Sequence, residues 1–256
     1  MINKKFLQWA NLVSFIATVI INYAATGLEL GGYNTGELSD LIPNLFVPIG
    51  LTFSIWAVIY FFLIGFSIYQ ARDLFKSEKI EETYLNKIGY YFLLSNIANS
   101  VWIFMWHFRL VLLSFVFMII ILFSLIMIYL RLKIGKAEID KAEKLWVHAP
   151  FSIYLGWITV ATIANATALL VVSGVPNFGL IPEILTIVVI VVAVLITYAM
   201  LFLRKDWVYS LVIIWAVLGI YLKQTAVNST IATTALVATI VVALGVIYTG
   251  FKLLKK

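Results

Sequence analysis

The chain has 256 residues, no cysteine, 63% apolar and 12% charged residues, a net charge of +6 and a mean hydropathy of +1.05. Soluble domains carry about a quarter charged residues, so this deficit, with apolar runs of about 20 residues, excludes an ordinary soluble domain. The missing cysteines exclude disulfides, thiol chemistry and cysteine-based metal sites.

Runs such as "VLLSFVFMIIILFSLIMIYL" are apolar on every helical face, unlike the alternating strands of about 10 residues that a membrane β-barrel needs. The expected fold is therefore all-α: a polytopic membrane helical bundle of about eight transmembrane helices. The first span, residues 6–24, has a basic start and "YAAT" near its end, as a signal peptide does. Its apolar run exceeds a usual signal core and holds Gln8, Asn11 and Asn22, so it reads as a retained helix.

The loop 24–47 follows, "TGLELGGYNTGELSDLIPNLFVP", rich in glycine and acidic, with no Lys or Arg. Gly31, Gly32, Gly36, Pro43 and Pro48 forbid a long helix there. A loop this long reads either as a solvated connector or as a lid over a site.

The second span, 47–71, begins near Pro48, which suits a helix start. Phe53, Trp56 and Tyr60 are spaced by three and four and share a face. The third span, 87–106, carries Asn96, Asn99, Trp102 and Trp106 in one stripe. The fourth is 110–131. In the fifth, 147–172, Trp157, Ala161 and Asn165 recur at four and four, with Ala161 leaving room between the larger groups. Spans at 182–204, 207–222 and 229–251 complete the chain, and Ala235, Ala238 and Gly245 in the last permit close helix contact, within this chain or in a homodimer.

Lys and Arg divide unevenly between the two sides of this arrangement. Sixteen fall on one side, in the N-terminus, the loops after spans two, four and six, and the tail; only Arg109 and Lys223 fall on the other. The positive-inside rule then puts both termini in the cytoplasm. The charge is thus explained by topology, and no nucleic-acid partner is expected. The bilayer is the first partner.

An intramembrane amide has no water to bond and must face protein, cavity or ligand. Asn99 and Asn165 therefore read either as interhelical bonds, worth about 0.6 kcal/mol each on average, or as polar points in an aromatic cavity. No Asp or Glu lies inside a span, which disfavours a proton-coupled pump. His107 and His148 are placed at opposite faces, so they form neither a metal site nor a dyad. No phosphate loop, paired carboxylates or nucleophile elbow is present, and no catalytic or metal-binding residue is assigned.

The stripes resemble the translocator protein/tryptophan-rich sensory protein (TspO/MBR) family. "PIGLTFSIWAVIY" supplies Pro48, Trp56 and Tyr60 at the spacing of that family's second helix. "SNIANSVW" keeps Asn99 and Trp102 of the third, with Ser95 in place of a glutamine. "YLGWITVATIAN" keeps Tyr154, Leu155, Trp157, Ala161, Thr162 and Asn165 of the fifth. The resemblance covers residues 1–172 and implies a five-helix TspO-like domain, with 173–256 as a three-helix C-terminal membrane extension.

The resemblance also implies a ligand. Family members bind porphyrins and other large apolar molecules beneath the loop joining helices 1 and 2. Carried over, Phe53, Trp56, Tyr60, Asn99, Trp102, Trp157, Ala161 and Asn165 would line such a pocket, with loop 24–47 as its lid. Planar macrocycles stack on indoles, and an amide fixes their orientation. Here the loop has Pro43 and Pro48 apart and no tryptophan, and the sterol motif of animal members has no counterpart in "ATALLVVSGVP". The implied function is a membrane receptor or sensor for a tetrapyrrole-like or other large apolar ligand, with no bound cofactor. A transporter of small apolar molecules is the alternative. Light-driven porphyrin degradation and a structural assembly role are further readings. A bacterial plasma (inner) membrane fits the cysteine-free, inside-positive chain.

Overall fold

A backbone surrounded by lipid must satisfy its own polar groups, and uninterrupted apolar runs do so as helices. In the computed structural model, which describes residues 3–76, 83–174 and 182–254, every regular element is a helix. In chain order these are α1 (Lys4–Gly27), a 3-10 turn (Leu30–Gly32), α2 (Thr35–Asp40), a 3-10 turn (Gly50–Ser54) and α3 (Ile55–Ala71). Then come α4 (Tyr84–Ile88), α5 (Tyr91–His107), α6 (Val111–Leu132), α7 (Lys141–Glu143) and a π-helical segment (Lys144–His148). The last are α8 (Ala149–Val172), α9 (Pro182–Arg204), α10 (Trp207–Gln224) and α11 (Ser229–Leu254). Lys79, Lys255 and Lys256 of the basic side, and the connector 175–181, lie outside the described residues.

Among the described residues, seven helical stretches are long and apolar enough to cross a membrane: Lys4–Gly27, Gly50–Ala71, Val111–Leu132, Lys141–Val172, Pro182–Arg204, Trp207–Gln224 and Ser229–Lys252. The expected third span falls on α5, which has 17 residues and carries Ser95, Asn96, Asn99 and Ser100. It begins later than expected because Gly89 takes φ +56 and separates α4 from α5. The second span opens on a 3-10 turn rather than an α-helix, two residues after Pro48. The fifth starts earlier than expected, since helix runs without a break from Lys141 through the π segment.

Several helix starts are capped by the residue types that favour that place. Asn3 accepts from the Phe6 amide (3.3 Å), Asp140 from Glu143 (2.7 Å), Asp206 from Tyr209 (3.1 Å) and Asn228 from Ile231 (3.1 Å).

The chain forms two compact units, Met1–Asn34 with Trp56–Leu155, and Thr35–Ile55 with Gly156–Lys256. In the first, α5 packs on α6 and α1, and α4 on α6 and α1. Its apolar centre includes Phe66, Phe92 and Phe151, which meet pairwise at 5.0–5.5 Å in edge-to-face geometry. Trp146 lies against Gly65, where a Cβ would run into the indole ring. In the second unit α9, α10 and α11 pack against one another. Gly245 brings α11 close to α9: an added Cβ would stand 2.9 Å from Tyr198 Cε1 and 3.1 Å from Leu201 Cδ2. Ala235 is fully buried, so this face of small residues serves contact within the chain.

Candidate functional site

The aromatic stripe of α3 and that of α5 come together in the first unit. The Trp56 ring stacks on Tyr60 at 5.6 Å, lies tilted 6.3 Å from Trp102, and meets Tyr154 edge-on at 5.9 Å. Trp102 in turn stacks on Trp106 at 6.4 Å, only 16° from parallel. Each contact follows from spacing: residues three or four apart on a helix share a face, so 56 and 60, and 102 and 106, project side by side. Trp102 is 5% exposed, and its Nε1–H is buried without a hydrogen-bond partner.

Asn99 sits beneath this cluster, fully buried. Its Nδ2 donates to the Tyr154 hydroxyl at 3.0 Å, and its Oδ1 accepts from Asn22 Nδ2 at 2.7 Å. Asn22 also donates to the Thr18 carbonyl at 2.9 Å. Asn99 is therefore an interhelical link from α1 to α8, as the bonding reading expects, and it stands next to the rings at the same time.

The link is one end of a longer polar ladder on α1. Lys4, Gln8, Asn11, Ser14, Thr18 and Asn22 follow one another at steps of three and four, hence on one face. Lys4 Nζ pairs with Asp73 Oδ2 at 2.6 Å, and Gln8 Nε2 donates to Asp73 Oδ1 and to the Gln70 carbonyl, both at 2.7 Å. Asn11 Nδ2 donates to Gln70 Oε1 at 2.9 Å. Asn96 Nδ2 donates to Ser14 Oγ at 3.0 Å, and Thr18 Oγ1 donates to the Asn96 carbonyl at 3.0 Å and lies 3.1 Å from Ser100 Oγ, a pair in which either hydroxyl can donate. Asp73 stands just past α3 yet is fully buried, held by an ammonium and an amide. Sequence reasoning noted Gln8, Asn11 and Asn22 as polar interruptions. It missed Gln70 and Asp73, which stand a step of three apart, and had Tyr154 as a family match but not as a site residue.

The remaining expected site residues belong to the second unit. Phe53 meets Trp157 edge-to-face at 5.8 Å. Trp157 and Asn165 are each 3% exposed, and Ala161 is half-buried between them on α8.

The loop expected to act as a lid is fastened within each unit. In the first, the Leu30 carbonyl lies 2.7 Å from His107 Nδ1, and Gly31, at φ +78, lies so near the His107 carbonyl that a Cβ would sit 2.7 Å from its oxygen. In the second, Lys223 pairs with Asp40, Gln224 Nε2 donates to the Leu45 carbonyl (3.1 Å), and Ile49 N–H donates to the Gly219 carbonyl (3.1 Å). Trp215 Nε1 donates to the Thr52 carbonyl at 2.9 Å, and Asn44 Nδ2 donates to Thr167 Oγ1 at 3.1 Å. Gly219 is the residue α10 needs there, since a Cβ would collide with Thr52 and Pro48. Sequence reading assigned α10 no part in holding this loop; the signal was Lys223, one of the two basic residues on the acidic side.

Among the described residues, no group of three or more His, Cys, Asp or Glu could hold a metal. Long apolar helices, buried amides that bond across helices, and packed indoles together define a polytopic helical membrane protein. The chain belongs to the TSPO-like protein family, whose model it matches over residues 8–248, through α9 and α10 and most of α11. No curated protein and no solved structure matches it.

Proposed function

We propose that this protein is a membrane receptor or sensor for a large, flat, apolar ligand of the tetrapyrrole type, bound without chemistry, in a bacterial plasma membrane with both termini cytoplasmic. The observation that carries this reading is the Trp56–Tyr60–Trp102–Trp106 cluster, with Asn99 and Tyr154 at its polar edge. Aromatic faces present wide apolar area at small conformational cost, and near-parallel rings suit a planar partner. Trp102 adds a buried N–H donor with no acceptor, which leaves a penalty of about 1–3 kcal/mol that a ligand carbonyl or carboxylate would relieve. The Phe53–Trp157 pair with Ala161 and Asn165 offers the same combination of ring, gap and amide in the second unit.

The test is tryptophan fluorescence of the purified protein titrated with protoporphyrin. Saturable quenching at low micromolar ligand, weakened at least tenfold by Trp56→Ala and by Trp157→Ala, supports the reading. Absence of saturable quenching, or quenching of both variants with the affinity of the wild type, overturns it.

A further inference from the structure

The second unit holds a groove of about 640 Å³ between α9 and α11, lined by none of the aromatic residues discussed above. Both ends of it are tied. At one, Asn228 Nδ2, at the start of α11, donates to Glu183 Oε1 in the first turn of α9 at 3.1 Å. At the other, the Tyr198 hydroxyl donates to the Val241 carbonyl at 2.8 Å, and Gly245 holds the two helices close. Between the ties, Ile190 and Val194 of α9 and Ala238 of α11 form apolar walls. Val191, Leu195 and Val237 also line it and are exposed, so the groove opens on a face that meets lipid in a membrane span. Its first turn and a half is different: Ser229, Thr230, Thr233 and Thr234 line it there. Thr233 and Thr234 donate to the carbonyls of Ser229 and Thr230, both at 2.9 Å, which leaves their oxygens as acceptors. The Ser229 and Thr230 hydroxyls bond no other group among the described residues.

Hydroxyl donors and acceptors at one end of an apolar slot match an amphiphile, tail along the slot and head at the hydroxyls. No charged residue lines the groove among the described residues, so a phosphate head group finds no cation there and the fitting head is uncharged. The length fits as well. From Ser229 to Val241 the helix rises about 18 Å at ~1.5 Å per residue, against about 15 Å for one leaflet of a ~30 Å hydrocarbon core. Ser229 opens α11, which puts the hydroxyls at a membrane interface and Val241 near the midplane. The apolar helix of a second copy would cover the hydroxyls without bonding them, at a cost that an oxygen-bearing head group avoids. We propose that this groove binds the single chain of an uncharged glyceride, whose ester carbonyl accepts from Ser229 or Thr230 and whose hydroxyls donate to Thr233 and Thr234.

The experiment uses the full chain in nanodiscs of dioleoyl phosphatidylcholine. The probe is a monoacylglycerol with a diazirine in its chain, photolysed and mapped by peptide mass spectrometry, with monoolein as competitor. Saturable labelling of α9 and α11 that monoolein displaces supports the proposal. The double variant Ser229→Ala with Thr230→Val should weaken labelling about five-fold, as for loss of one ordinary hydrogen bond. Both residues are exposed, so the fold is kept. Val237→Trp, at the rim, should block the groove and abolish labelling, while Leu211→Trp, exposed on α10 and outside the groove, should leave it unchanged. Lysophosphatidylglycerol with an oleoyl chain should compete at least five-fold less well than monoolein. Labelling of the double variant and of Val237→Trp at the wild-type level overturns the proposal, as does equal competition by lysophosphatidylglycerol. A wild-type dimer that Val237→Trp converts to a monomer means that a second copy covers the groove, and overturns it too.

Discussion

Asn99 donates to the Tyr154 hydroxyl at 3.0 Å, and through that bond the amide of α5 fixes a ring that lies edge-on to Trp56. One side chain thus ties helices together and sets the orientation of an aromatic surface.

Removal of Asn99 should therefore cost more than removal of the tyrosine hydroxyl. Tyr154→Phe is expected to lower stability by about 0.6 kcal/mol, the average for polar contacts in membranes, and Asn99→Ala by about 1–2 kcal/mol because Asn22 loses its acceptor too. Denaturant titration in mixed micelles measures both. Equal losses would mean that the Asn22 bond contributes nothing.

Gly65 allows α3 to meet Trp146, and a methyl group would have to displace the indole. Gly65→Ala should destabilise by about 1–3 kcal/mol through overpacking. The double variant Gly65→Ala with Trp146→Leu should recover part of the loss in thermal unfolding, an outcome that a purely conformational role of the glycine would not give.

Two kinds of contact fasten the loop to α10, and they should differ in strength. Lys223→Gln should change hydrogen exchange of residues 40–52 by less than about 1 kcal/mol, as for other solvent-exposed ion pairs. Gly219→Leu, which forces a side chain into Thr52 and Pro48, should release the same segment by several times more. Exchange mass spectrometry of the two variants decides the ranking.

The cysteine-free chain makes sidedness directly measurable. Single cysteines at Lys136 and Val227, both exposed, should react oppositely with a membrane-impermeant maleimide. Val227→Cys labels in intact cells and Lys136→Cys only after permeabilisation, if the basic loops face the cytoplasm.

The long helices were legible because lipid demands unbroken apolar length, and the sequence shows that length directly. The short ones, α2, α4 and α7, were not, since three to six residues make no periodic signal. The Trp56–Tyr60 and Asn99–Trp102 stripes were readable from a period near 3.6, but not what each would touch. Tyr154 was quoted only as a family match, yet it is the acceptor that completes Asn99. Asp73 stood outside every expected span, so nothing in its neighbourhood announced full burial. The ties from Lys223, Gln224 and Trp215 to the loop join positions more than 160 residues apart, beyond what local pattern can reach.

The ladder on α1 bears on how the protein enters the membrane. With Gln8, Asn11, Ser14, Thr18 and Asn22 along one face, α1 has the lowest mean hydropathy of the seven candidate spans. Alone in lipid, those side chains would lack the partners that α3 and α5 provide. Such a helix is thus poorly suited to leave the translocon by itself. It has reason to wait there for helices made 50 to 80 residues later and to partition into lipid with them.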